Sequence, residues 1–214
     1  YFKQKKIFSE NKLIILKDPI IDIKNFNILS KKEIDKMFIG KKIITGIGRL
    51  TKQKNFELLI SFFSKIEKDY PEYILIILGE GEERSKLEKI IKHFNLNDKI
   101  HLLGYQNNVF KYLKNSKYFI LSSLWEDPGF VLIEAALSNT NIISSNCPNG
   151  PSEIIVDKNF LFKNNNLDDL YDKFQKIHNN TDNLSIINQK ILVKKRIKEY
   201  TRFNHYKKLI QIFE

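Results

Sequence analysis

One cysteine, one methionine, one tryptophan, five prolines and eight glycines are all that 214 residues contain of these types. Cys147 stands alone, so no intrachain disulfide can form, and four scattered histidines do not complete a Cys/His metal cluster. Both absences point to a reducing compartment. No stretch approaches the roughly 20 consecutive apolar residues of a membrane-spanning helix. The start, Tyr1-Phe2-Lys3-Gln4-Lys5-Lys6, has neither the apolar core of a signal peptide nor an initiating Met, and the chain is expected to be a piece of a longer one.

What remains is globular in balance, with 42% hydrophobic and 29% charged residues. A net charge of +11 invites polyanions or an anionic membrane. Yet Lys, Asn and Ile are abundant throughout while Gly, Ala and Pro are scarce, which has the form of a codon bias rather than of a basic groove. Nucleic acid is therefore not the expected partner.

Residues 1–42 form an approach: a basic start, the apolar run Leu13-Ile14-Ile15-Leu16, an extended Asp18–Asp22 stretch around Pro19, and a short helix near Lys31–Phe38. From Ile43 the pattern becomes regular. Apolar runs at Ile43–Ile47, Tyr73–Leu78, Ile100–Leu103, Tyr118–Leu121, Asn141–Ser144 and Phe160–Phe162 predict strands. Helical periods at Asn55–Lys68, Glu82–Phe94, Val109–Lys114, Gly129–Ser138 and Leu167–Ile177 lie between and after them. Continuous apolar strands suit a sheet covered on both faces, and strand-helix alternation gives parallel units. The expectation is an α/β, doubly wound domain over residues 43–180. The tail Leu184–Glu214 reads as one or two basic helices, which present either a solvated face or one that docks on another domain or an anionic membrane.

In such a sheet, ligands bind beyond the carboxyl ends of the strands. After the first strand, Gly46-Ile47-Gly48-Arg49 leads through Lys54 to Asn55, placed to cap the next helix. Arg49 and Lys54 would flank a helix N-terminus that already favours an anion. The third glycine of a dinucleotide fingerprint is missing, and no Gly-Lys-Ser/Thr marks a P-loop. After the fourth strand, Pro128-Gly129 opens a helix, and the amides of Gly129, Phe130 and Val131 should be free to meet an oxygen. Glu134 sits inside that apolar helix, where a carboxylate needs a partner. The plainer reading puts it on a polar stripe or against a structural Arg or Lys, and the sharper one against vicinal hydroxyls such as those of a ribose. Glu126, in the loop before, could hold a second sugar. The stretch Ser145–Glu153 reads by itself as a turn.

Gly48-Arg49-Leu50 with Lys54, then Glu126 and Glu134 with seven residues between them, then Gly150-Pro151-Ser152-Glu153 resemble the donor-binding half of the retaining GT-B glycosyltransferases of family GT4, the glycosyl transferases group 1. The resemblance implies a Rossmann-like sheet, the C-terminal half of a GT-B fold, with C-terminal helices. Residues 1–42 become a remnant of an interdomain segment, 43–180 a nucleotide-sugar-binding domain, and 181–214 helices that pack toward an N-terminal domain absent from this chain. Arg49 and Lys54 then hold the donor diphosphate and, with Glu126 on the transferred hexose, form the catalytic set. Glu134 takes the ribose hydroxyls, Gly48, Gly129, Phe130 and Val131 lie along the donor, and Gly104-Tyr105 meets the base.

No cofactor is implied. The sequence has no Asp-x-Asp, the metal-diphosphate ligand pair of the other major glycosyltransferase fold, so a metal-independent reaction is expected. The Cys147-Pro148-Asn149-Gly150-Pro151 variant resembles members that use UDP-hexoses or UDP-N-acetylhexosamines for cell-surface polysaccharides. The implied partners are that donor and a glycan or lipid-linked acceptor reached through the absent domain. The implied location is cytoplasmic, with peripheral association at the inner face of the cell membrane left open. Two alternatives stand beside this one: an epimerase-like enzyme of the same fold, and a basic polyanion- or membrane-binding module without catalysis.

Overall fold

The computed structural model describes residues 16–179 and 184–213. The basic start and the Leu13-Ile14-Ile15 part of the early apolar run lie outside them. Six strands form one sheet: β1 (Lys42–Ile47), β2 (Tyr73–Leu78), β3 (Ile100–Leu102), β4 (Ser116–Leu121), β5 (Asn141–Ser145) and β6 (Leu161–Phe162). Their order is β3-β2-β1-β4-β5-β6, and every ladder is parallel. All six residues of β2 are buried, as are the last five of β1. A strand with no polar face requires helices on both sides.

The helices supply that cover. α1 (Ile23–Leu29) leads in, and α2 (Phe56–Ile66), α3 (Arg84–His93), α4 (Phe110–Asn115), α5 (Phe130–Leu137), α6 (Pro151–Ile154) and α7 (Leu167–Asn179) alternate with the strands. α8 (Leu184–Ile197) and α9 (Arg202–Phe213) follow. α2 buries seven of its eleven residues and packs on α3 and α7. α8 lies against α5 and α6 through Ile186, Gln189, Val193 and Ile197. α9 buries none of its residues and exposes Phe203, Tyr206, Ile210 and Phe213.

Three local expectations are corrected. The leading helix is not near Lys31–Phe38, where only a 3-10 turn forms at Lys36–Phe38, but at Ile23–Leu29. Asp22 starts it by accepting from the Asn25 amide at 3.0 Å, and Phe26 anchors it against Phe110 with ring centroids 5.1 Å apart. Asn55 precedes α2 in the left-handed conformation, but its side chain donates to Asn165 at 2.9 Å and caps no amide. The stretch Ser145–Glu153 is more than a turn, because Pro151 begins the short helix α6.

Residues 16–41 are also more than an approach. Ile21, Ile34 and Phe38 are part of the core. Ile21 is 5% exposed, forms a parallel bridge with Thr201, and donates its amide to the Tyr200 carbonyl at 3.2 Å. The described start and the last helices are thus tied at one seam, with His205 Nδ1 2.9 Å from the Lys17 carbonyl.

Candidate functional site

The strand order reverses direction between β1 and β4, which lie side by side although two strands intervene in sequence. The crevice beyond their carboxyl ends is where an open α/β sheet binds its ligand. Gly48, Arg49 and Lys54 follow β1, and Ser122 through Glu134 follow β4, so the two loops face each other across this switch point.

Backbone bonds fix both walls. The Gly48 amide donates to Leu78 at 3.0 Å, the Leu50 amide to Glu80 at 2.8 Å, and the Gly79 amide to Gly104 at 2.8 Å. The ends of β1, β2 and β3 are therefore laced together. The lacing needs Gly79: its φ is +145°, and a Cβ there would lie 1.9 Å from the Gly48 carbonyl oxygen. Between these ends opens a largely apolar cavity of about 250 Å³ lined by Ile47, Gly48, Arg49, Gly79, Tyr105 and Val109 among others. Tyr105 is 74% exposed at its mouth, and Gln106 is held by donating to the Leu103 carbonyl at 2.9 Å.

Arg49 is exposed, and no carboxylate among the described residues pairs with its guanidinium. Lys54 is differently placed. Its Nζ is 2.6 and 2.9 Å from the two carboxylate oxygens of Glu126, with side chains only 13% and 4% exposed. Ser123 Oγ donates to the same carboxylate at 2.5 Å, and Ser145 Oγ donates to the Ser123 carbonyl at 2.6 Å. Ser122 Oγ donates to the Lys54 carbonyl at 2.8 Å, as the Leu124 amide does to Gln53 at 2.8 Å. The two loops are stapled along their backbones, with one buried ion pair at the centre. Cys147 is buried nearby, and burial pushes its thiol up, away from nucleophilic use.

Gly129 precedes α5, and its φ of +78° sets the left-handed turn into the helix. Among the described residues no carbonyl accepts from the amides of Gly129, Phe130 or Val131. Phe130, Val131, Glu134 and Leu137 recur at helical spacing on one half-exposed stripe, while Leu132, Ile133, Ala135 and Ala136 are buried. The Glu134 carboxylate has no cation or donor among the described residues, and burial pushes it up to about 7. The half-exposed placement holds, but the stripe is apolar apart from Glu134, and no Arg or Lys among the described residues pairs with it.

The expected residues therefore fall into two groups. Lys54 is bonded to Glu126 and runs beside Gly48, Glu126 lies beside Gly129, and Gly48, Arg49 and Tyr105 line one cavity, with Gly104 beside it at the end of β3. Phe130, Val131 and Glu134 reach the region only as a free helix start and an unpartnered carboxylate. Gly79, Ser123 and Ser145 were missed. Gly79 was visible as the first glycine after an apolar strand, whereas the serines carry no local signal because their partners come from other strands.

The model of the glycosyl transferases group 1 family matches residues 28–199. An uncharacterized glycosyltransferase of Methanocaldococcus jannaschii is 40% identical over 140 residues, covering 64% of this chain and 34% of that protein. The N-acetylgalactosamine-N,N'-diacetylbacillosaminyl-diphospho-undecaprenol 4-alpha-N-acetylgalactosaminyltransferase of Campylobacter jejuni is 33% identical over 140 residues, covering 65% of this chain and 37% of that one. The chain thus spans little more than a third of the length of either relative. Among solved structures, a mutant of S. aureus TarM in complex with fondaparinux, alpha-GlcNAc-glycerol and UDP superposes with a TM-score of 0.71 at 27% identity, over 86% of this chain and 37% of that one.

Proposed function

Because the chain belongs to the glycosyl transferases group 1 family, we propose that it is the donor-binding domain of a retaining GT4 glycosyltransferase, one that moves a hexose or N-acetylhexosamine from a UDP-linked donor to a glycan or lipid-linked acceptor. The observation that carries this reading is Glu134: a half-buried carboxylate held near 7 with no partner among the described residues, in a helix whose first amides are likewise free among them. A folded protein keeps so costly an arrangement where a ligand completes it. Vicinal ribose hydroxyls donate the two hydrogen bonds that an ionised Glu134 lacks.

The remaining residues follow the length of a nucleotide-sugar. The base enters the apolar cavity beside Tyr105, the diphosphate lies between Arg49 and Lys54, and the hexose hydroxyls meet Glu126. When the bond between the sugar and the diphosphate breaks, negative charge grows on the diphosphate. Two cations stabilise that charge without transferring a proton. These cations take the part that an Asp-x-Asp-bound metal plays elsewhere, so we propose that no metal is required. UDP in the S. aureus neighbour and the undecaprenol-linked name of the C. jejuni relative support this class of donor and acceptor.

The acceptor site belongs, in this reading, to an N-terminal domain that covers the crevice, against which the exposed apolar face of α9 packs. The reaction is placed in the cytoplasm at the membrane's inner face. Among the described residues no helix is long and apolar enough to cross a membrane. These 214 residues alone are expected to bind donor and transfer it poorly or not at all, and turnover with a sugar acceptor would overturn that part.

A thermal-shift panel of UDP-, GDP- and ADP-sugars tests the site, because a ligand that binds only the folded state raises Tm. UDP-sugars are expected to raise it with or without EDTA, and Glu134→Ala to remove the shift. No shift from any nucleotide would overturn the assignment.

A further inference from the structure

Glu126 and Lys54 cannot both serve a donor while they serve each other. In the structure the ammonium is closed off by two contacts of 2.6 and 2.9 Å to one carboxylate. Resting on the donor-site reading above, we infer that this pair is a partner-exchange device that disfavours the nucleoside diphosphate product relative to the intact nucleotide-sugar.

The asymmetry lies in which half can move. The Glu126 carboxylate is held by Ser123 Oγ at 2.5 Å, and the Glu126 amide by the Pro148 carbonyl at 3.0 Å. Ser123 is itself fixed by Ser145. Lys54 has its backbone carbonyl stapled to Ser122, but among the described residues its ammonium is tied only to Glu126. Its methylene stem runs beside Gly48, 3.0 Å from where a Cβ of Gly48 would lie. The ammonium can therefore swing toward the Arg49 side on its four-carbon stem while the carboxylate stays.

A diphosphate arriving beside Arg49 offers the ammonium a stronger anion. Once Lys54 turns to it, Glu126 is left as a charge only 3% exposed, without its counter-ion and near a phosphate. Removing one partner of a buried pair leaves an uncompensated charge and is strongly unfavourable. The intact donor supplies the compensation itself, because its hexose hydroxyls donate to the carboxylate that Lys54 has released. A nucleoside diphosphate has no such hydroxyls to offer. The same site therefore admits the donor and weakens its hold on the product once the sugar has left.

Calorimetric titration with UDP of the wild-type chain and of Glu126→Gln tests the exchange. Glutamine keeps the shape and the Ser123 contact but gives up the charge, so the variant is expected to bind UDP at least about tenfold more tightly than wild type, the lower range of measured charge-pair couplings. Equal or weaker binding by the folded variant would overturn the inference. A crystal structure of the wild-type chain with UDP needs no variant: Lys54 Nζ is expected beside phosphate oxygens and more than about 4 Å from Glu126, beyond ion-pair reach, and an intact pair with UDP bound would also overturn it. A wild-type chain that binds no nucleotide would instead fail the donor-site reading and take the exchange with it.

Discussion

Glu134 carries opposite consequences for folding and for binding, and both can be read against pH. Its carboxyl is raised from 4.5 to about 7 in the folded chain, with burial as the cause. A raised acid favours the folded state fully below the unfolded pKa of 4.5 and gives that advantage up as pH climbs to about 7. Replacing it with the uncharged Glu134→Gln should therefore leave Tm unchanged below about pH 4.5 and raise it increasingly up to pH 7. The gain is on the order of 3 kcal/mol at most, and melting curves across that range would show it. Hydroxyl donors bound to the carboxylate favour its ionised form, so donor binding should release a proton and strengthen as pH rises through 7. The variant should bind more weakly and without that dependence. A Glu134→Gln chain no more stable than wild type at pH 8 would mean that the carboxylate finds a partner in solution.

Among the elements, α8 shows where an apolar period is interrupted. Gln189 is 3% exposed on its packed face, and among the described residues neither Oε1 nor Nε2 has a partner. Asn141 Oδ1, on a residue lining the same narrow pocket, is likewise unpaired among the described residues. An unsatisfied buried amide costs about 1–3 kcal/mol, so Gln189→Met, which keeps the length and removes the polar atoms, is expected to raise the urea-unfolding free energy by about 1 kcal/mol. A clear loss would show that the amide is bonded. The same element explains what the sequence could reveal. The tail was legible as one or two basic helices, but not which face packs, since Ile186 and Val193 are buried while Ile191 and Leu192 are exposed; the strands were legible because Tyr73–Leu78 and its kin are uninterrupted apolar runs. Positions decided by a distant partner were not. α1 depends on Phe26 reaching Phe110, and Asn55 gives its side chain to Asn165. The site divides the same way: Arg49, Lys54 and Glu126 stand out in the loops that follow strand ends, and Glu134 as a carboxylate inside an apolar helix. The Lys54–Glu126 bond joins residues 72 apart and exists only because β1 and β4 are neighbours.

At the scale of the whole molecule, the seam between the described start and the last helices closes the longest loop in the fold. Ile21 pairs with Thr201, its amide is taken by Tyr200, and Arg202 lies 3.6 Å from Asp22. A chain ending at Ile197 loses every one of these partners, and trypsin is expected to cleave it within residues 17–32 many times faster than the full chain, as timed by mass spectrometry. Equal rates would show that α1 and Phe38 hold the segment unaided. The seam also orders events at the ribosome. The sheet from β1 to β6 can pair as each strand emerges, but Ile21 has nothing to bridge until Thr201 has left the exit tunnel. A chain terminated before Thr201 would therefore leave the stretch around Ile21, with Lys17, Lys24, Lys31 and Lys32, undocked and open to the cell's proteases, so that incomplete copies are marked for removal.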